Sequence, residues 1–171
     1  HLLDRAYQDL LDYFIIYYGQ SLNTFPLPEA ILKYQYAQLG QVDLLQMVLD
    51  YLDFSRESET VYTDLLSIPL DKLRNAGQSF LFPAPDERIL FICDQTLFGS
   101  FKLGFAMTEN ALYWKAQFQK AYAIQYQNLL TIERQQDWLH INGQFFNVNP
   151  AINLKMMRLL KKLKLLHRLH Y

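Results

Sequence analysis

The chain has 171 residues, of which 51% are apolar, 15% aromatic and 19% charged. This composition excludes long disordered stretches and suffices for one substantial core or two small ones. The single cysteine, Cys93, excludes an intramolecular disulfide and a multi-cysteine metal site, and fits a reducing, cytoplasmic setting. The net charge of −1 conceals an asymmetry: residues 1–152 hold all 17 acids, whereas residues 153–171 hold six Lys/Arg and no acid.

No basic, apolar, small-residue cleavage pattern follows His1, and no run of about 18 apolar residues occurs, so neither a signal peptide nor a transmembrane helix is expected. Leu3, Ala6, Tyr7, Leu10, Leu11, Phe14, Tyr17 and Tyr18 keep helical spacing over Leu2 to Tyr18, and Gly19 supplies a stop. After the connector Phe25-Pro26-Leu27-Pro28, a second helix is predicted to run to about Leu39 and end at Gly40. A third, from about Val42 to Phe54, aligns Leu44, Leu45, Val48, Leu49 and Leu52. Ser55 is an N-cap candidate for a fourth, Arg56 to about Ser67, with Glu57 and Glu59 near its positive end. Asp71 to Gly77 adds a turn. Pro83 and Pro85 then fix φ and remove amide donors, which places the boundary of an α-helical domain, 1–80, before a β-rich domain, 81–171.

The β half opens at Arg88 with Arg88-Ile89-Leu90-Phe91-Ile92-Cys93, turns through Asp94 to Gly99, and continues with Lys102 to Thr108 and Ala111 to Phe118. Gly99 suits a positive φ, and Gly104 marks a bulge or a close backbone approach. Shorter strands are predicted at Ala121–Tyr126, Leu129–Arg134, Asp137–Ile141 and Gln144–Val148, the last two joined by Asn142-Gly143, the strongest hairpin signal in the chain. Seven short strands point to a small barrel or sandwich. Asn149-Pro150 closes this region, and Asn153 is the expected N-cap of a last helix with Met156, Leu159, Leu160, Leu163, Leu166 and His170 on one face, covering an open end of the barrel.

Arg88-Ile89-Leu90-Phe91, then Asp94-Gln95-Thr96-Leu97-Phe98-Gly99-Ser100, Gly104-Phe105-Ala106-Met107-Thr108 and Leu112-Tyr113-Trp114-Lys115 resemble the first hairpins of bacterial pleckstrin-homology-like (PH-like) domains, of the form ILxxxDxTxFGS…GxxxTxxGxYxK. Asn110-Ala111 stands where such domains commonly have a turn glycine. The order of antiparallel strands ending in one amphipathic helix matches as well, over roughly residues 85–166. The resemblance implies an α+β protein, an N-terminal helical bundle followed by a PH-like β-barrel or sandwich capped by the C-terminal helix, that binds or scaffolds rather than catalyses. No ligand residue carries over, since Lys102 is the sole basic residue between Arg88 and Lys115.

Chemistry is thin elsewhere. No Gly-rich phosphate loop, G-x-S-x-G or H-E-x-x-H occurs. His167 and His170 share a helical turn without a third ligand, and Asp86-Glu87 and Asp50 with Asp53 read as solvated charges, so no metal, cofactor or catalytic residue is expected. Cys93 reads as a buried, inert thiol. The candidate binding residues are Lys155, Arg158, Lys161, Lys162, Lys164 and Arg168, interleaved with Leu154, Met157, Leu165 and Leu169. They fit a core-packing helix, a protein partner or second copy of the chain, or an anionic membrane surface. Nucleic acid is not expected, because the body is acidic. The expectation is a non-enzymatic intracellular module for protein binding or self-association, with peripheral membrane binding through the basic helix as the alternative.

Overall fold

The computed structural model describes residues 28–168. The expected helix Leu2–Tyr18, most of the connector after it, and Leu169 and His170 lie outside the described residues. The chain divides into two compact units, residues 1–36 and 37–171. Within the first, α1 is a single turn, Glu29–Leu32, immediately after the extended Pro28 and shorter than the helix expected to Leu39.

The second unit begins with α2, Leu44–Leu52, which Asp43 caps by accepting a hydrogen bond from Gln46 N at 3.1 Å. Its apolar face buries Met47, Val48 and Leu52, and Asp53 ends it in the left-handed conformation. The fourth helix expected over Arg56–Ser67 does not form. The segment is a short 3₁₀ turn, then strand β1, Thr60–Tyr62, then a second 3₁₀ turn over Leu65–Ser67. Ser55 is not an N-cap; its hydroxyl donates to Asp53 Oδ1 at 2.6 Å. Thr60-Val61-Tyr62 is β-branched and aromatic, and the free edge of β2 offers it a ladder, pairing Val61 with Cys93. A partner edge about 30 residues away outweighs a favourable helix dipole.

Helix α3, Leu70–Ser79, follows Pro69 directly and is longer than the single turn expected. Strands β2 (Ile89–Asp94), β3 (Gly104–Thr108), β4 (Ala111–Lys115) and β5 (Tyr122–Gln125) complete an antiparallel sheet ordered β1-β2-β3-β4-β5. Strands β6 (Ile132–Gln135), β7 (Trp138–Ile141) and β8 (Gln144–Phe146) form a second sheet. Among the described residues the fold is therefore α+β with two separate sheets and no closed barrel. The expected boundary at residues 80 and 81 falls inside the second unit, because β1 and β2 share one sheet.

The central strands are buried on both faces, which is why their sequences run apolar instead of alternating. On one face Ile92, Ala106 and Tyr113 align across β2, β3 and β4 and pack with Ala76, Phe80, Leu81 and Phe101 beneath α3. On the other, Phe54, Phe91, Phe105, Phe146 and Trp114 form a train of ring contacts with centroids 5.5–6.1 Å apart. The Trp114 indole donates to Phe145 O at 2.8 Å and so ties β4 to β8. Leu90 is the extra residue of a bulge on β2, between the pairs Ile89–Thr108 and Phe91–Met107.

Helix α4, Pro150–Arg168, starts earlier than expected. Asn149 is the N-cap, accepting from Ile152 N at 2.8 Å, with Pro150 in the first helical position. Asn153 is instead a fully buried residue of the first turn. Its Oδ1 accepts from Val148 N at 2.9 Å, and its Nδ2 donates to Asn147 Oδ1 at 2.7 Å and to Asp137 O. Met156, Leu159, Leu160, Leu163 and Leu166 are buried, as the expected helix face requires, and Ile152 is buried with them. They pack on α2, on the 3₁₀ turn Tyr126–Asn128 and on β6 and β7, so the helix covers the second sheet and not a barrel end. Asn142 and Gly143 both have positive φ, +47° and +78°, the conformation that a two-residue hairpin demands. Asn142 also accepts from Leu130 N and Thr131 N and donates to Asn128 O, fastening the loop before β6.

Candidate functional site

The six basic residues of α4 divide by what they touch. Lys155 Nζ lies 2.7 Å from Glu57 Oε1 and donates to Asp53 O at 2.8 Å, holding the segment after α2 against the helix. Lys164 donates to Leu130 O, and Arg168 reaches Leu129 O at 3.5 Å, so both tie down the chain before β6. Burial lowers the pKa of Lys164, with the Arg168 and Lys161 charges adding to the effect. Arg158 is half-buried, and burial likewise lowers its pKa, against a smaller opposing contribution from Tyr51. Lys162 is half-buried and partnered. Lys161 is exposed to solvent, as is Arg168. The basic tail thus serves largely to satisfy carbonyl groups and Glu57 within the unit. Leu154, Met157 and Leu165, which the single core face did not account for, are half-buried on the same helix.

The remaining titratable candidates are also engaged. His167 Nδ1 lies 2.9 Å from Leu163 O, with its ring edge-on to Tyr126 at 5.1 Å. His140 is half-buried in β7 opposite Glu133. Asp50 accepts from Gln46 at 2.8 Å, and the Ser55 hydroxyl holds the Asp53 carboxyl below its usual range. Cys93 is fully buried, and burial, with Glu59 and Asp94 adding, pushes its thiol far above the range where a thiolate forms. Among the described residues no group of three or more His, Cys, Asp and Glu is placed to hold a metal ion, and no helix is long and apolar enough to cross a membrane.

Glu87 organises the β3–β4 end of the first sheet. Its Oε1 accepts from Thr108 Oγ1, and its Oε2 accepts from Tyr113 OH at 2.9 Å and from Ala84 N at 3.0 Å. Thr108 Oγ1 accepts in turn from Ala111 N at 2.8 Å, and the fully buried Tyr126 hydroxyl lies 2.8 Å from the carbonyl oxygens of Thr108 and Ala111. This network holds the turn at Asn110-Ala111 in place of a glycine. Burial and then Glu87 push the Tyr113 phenol up to about 12, and burial pushes Tyr126 well above its usual value. In the unfolded chain both protons leave near pH ~10. The native state therefore binds more protons above that point, so this stabilisation is complete below about pH 10 and is lost as pH rises through about 12. The urea midpoint is expected to fall across that window, and less steeply in Tyr113→Phe; an equal fall in the variant would contradict the assignment.

The opposite end of the same sheet is different in character. Gly104 faces Asp94 across β2–β3 and Lys115 across β3–β4, so the loops 95–103 and 116–121 emerge side by side. Leu97 and Phe98 on the first are 94% and 93% exposed, and Phe118 on the second is 94% exposed. Phe118 also has φ +62°. The first loop is closed from within: Asp94 Oδ1 accepts from Thr96 N at 2.9 Å and from Thr96 Oγ1 at 2.7 Å, which in turn accepts from Ser100 N at 2.7 Å. Helix α3 braces it through Asn75 Nδ2 to Ser100 O at 2.9 Å and Ser79 Oγ to Lys102 O at 2.6 Å. Lys102 and Lys120 are exposed at the loop bases. In the sequence, Leu97 and Phe98 fall within turn chemistry and Phe118 at a strand end, and none of the three stands out as a binding residue. The signal that could have found Leu97 and Phe98 is large apolar side chains inside a segment otherwise made of turn residues; Ala116 to Ala121 carries no such signal for Phe118. No protein-family model, curated protein or solved structure matches the chain.

Proposed function

We propose that this chain is an intracellular, non-enzymatic binding module that engages its partner through the loop end of the five-stranded sheet. The observation that carries the reading is the exposure of Leu97, Phe98 and Phe118 on neighbouring loops of a sheet whose central strands are buried on both faces. Large apolar groups exposed at one end of a sheet contribute nothing to the core and mark a candidate interaction surface. A run of antiparallel strands ending in one helix is the order that PH-like domains share, and it supports reading the chain as a binding scaffold. The engagement of Glu87, His167 and Cys93 in packing and hydrogen bonds supports a non-enzymatic role.

A photo-crosslinking residue placed at position 98 or 118, compared with one at the exposed Gln135 on β6, tests the surface whatever the partner turns out to be. Adducts formed in cells at 98 and 118 but not at 135 are expected. Equal labelling at all three, or labelling at 135 alone, would move the docking surface elsewhere.

A further inference from the structure

We propose that residues 55–61 form a strap that opens while the rest of the fold stays intact, and that its opening uncovers Cys93 and the hydrogen-bonding edge of β2. The segment is pinned at both ends by aromatic rings. Phe54 lies edge-on to Phe91 with centroids 5.5 Å apart, and the Tyr62 ring lies 5.0 Å from that of Phe101. Between those pins no residue is buried as a whole: Ser55, Arg56, Ser58 and Thr60 are exposed, and Glu57, Glu59 and Val61 are partly exposed. Leu90 to Asp94 of the neighbouring strand are buried by contrast. Apolar burial therefore contributes little to closing the strap, and segments of that kind open at the lowest free energy.

Closure rests instead on polar contacts with the start of α4. Lys155 Nζ lies 2.7 Å from Glu57 Oε1, and Asn149 Nδ2 donates to Glu57 Oε2 at 3.1 Å and to Glu59 Oε1 at 2.8 Å. The Glu57 side chain is 9% exposed, so its pair with Lys155 is screened less than a surface pair. The backbone adds the three-residue ladder of β1, in which Thr60 faces Asp94 and Val61 faces Cys93. Two features oppose closure. Glu59 Oε2 is shielded from solvent with no hydrogen-bond partner among the described residues, and it regains water when the strap lifts. Ser55, Glu57 and Glu59 suit the first turn of a helix, a local preference that β1 overrides. What the strap covers is the one thiol of the chain. Val61 is the cross-strand neighbour of Cys93, and Glu59 stands near enough for its charge to act on the sulfur. With both lifted, the Cys93 side chain is open to reagents from the sheet edge. The strap adjoins the loop-end surface, since Thr60 pairs with Asp94, but it opens without any partner there.

The test is N-ethylmaleimide labelling of the folded full chain, followed by intact-mass spectrometry, from zero urea to just below the unfolding transition. The reagent is kept dilute enough that reclosing outpaces reaction. Because the chain has a single cysteine, every adduct on sulfur reports on position 93. Labelling is expected to be slower than in the unfolded chain, faster than global unfolding allows, and nearly independent of urea at low concentration, because local opening exposes little surface. Glu57→Gln should speed it about tenfold. Lys164→Gln removes a contact of α4 with Leu130, away from the strap, and should lower the urea midpoint while leaving labelling at low urea unchanged.

Labelling that climbs with urea from the outset, along the global unfolding curve, would mean that only unfolding reaches Cys93 and would overturn the inference. So would labelling at the rate of the unfolded chain, which leaves no closed strap, or a folded Glu57→Gln variant that labels no faster than the parent.

Discussion

Replacing Gly104 with alanine is expected to cost about 3 kcal/mol or more of folding stability, or to prevent folding. A Cβ at this position would stand 2.1 Å from the carbonyl oxygen of Cys93 and 3.2 Å from its carbon, and φ is +146°, where L side chains are strained. The atoms met are backbone, not the end of a flexible side chain, so relief requires β2 and β3 to separate where Asp94 pairs with Gly104. Both strands are buried on two faces, and separation there would disturb the packing on each. Gly77→Ala in α3 is the matched control. Nothing lies within 4 Å of its Cβ position, and the higher helix propensity of alanine should raise stability by up to about 1 kcal/mol. Urea unfolding of the two variants checks both signs, and a Gly104→Ala variant within about 1 kcal/mol of the parent would mean that the close approach is absent.

Asn153→Leu is expected to lower stability by about 3 kcal/mol, or the melting temperature by about 10 °C. The leucine is close in size but leaves Val148 N, Asp137 O and the Asn147 side chain without the partner that Asn153 supplies. Each buried polar group stripped of its partner costs about 1–3 kcal/mol. Asn153→Asp separates hydrogen bonding from shape. Its carboxylate still accepts from Val148 N but turns a lone pair toward Asp137 O and Asn147 Oδ1, so at neutral pH it should be at least as destabilising as leucine. Because burial favours the neutral acid, its folded pKa lies above the unfolded value of about 3.9, and the deficit should shrink on acidification. A calorimetric melt at neutral and acidic pH distinguishes the two variants; an Asp variant insensitive to pH would remove Asn153 from this network.

Much of the fold is legible in the sequence, for local reasons. Most β segments from Arg88 onward are bounded by Asn, Asp and Gly turns whose φ requirements are intrinsic, the connection Ala116 to Ala121 between β4 and β5 being the exception, and Asn142-Gly143 forms the hairpin that its residues demand. The buried face of α4 follows from 3.6-residue periodicity alone, and Gly104 announces a close backbone approach because no other residue fits one. The candidate site was less legible. Turn chemistry at Asp94 to Gly99 located the first loop, whereas Ala116 to Ala121 carries no Gly, Asn, Asp or Pro and the expected strand runs on through Phe118 instead of ending at Lys115; nothing local revealed that adjoining strands bring the two loops together.

The sequence by itself therefore determined most of the strands from Arg88 onward, the Asn142-Gly143 hairpin and the buried face of the last helix, because backbone conformation and side-chain periodicity are local properties. Tertiary structure decided the rest. Arg56 to Ser67 carries helix signals but yields β1, because the open edge of β2 rewards pairing more than the dipole rewards Glu57 and Glu59. Lys155 and Lys164 look free along the chain, yet their ammonium groups meet Glu57 and Leu130 across gaps of 98 and 34 residues. Leu97, Phe98 and Phe118 are as apolar as core residues, and the places taken by β3, β4 and α3 leave them facing water. Burial is a property of what other segments occupy, and that information is distributed over the whole chain.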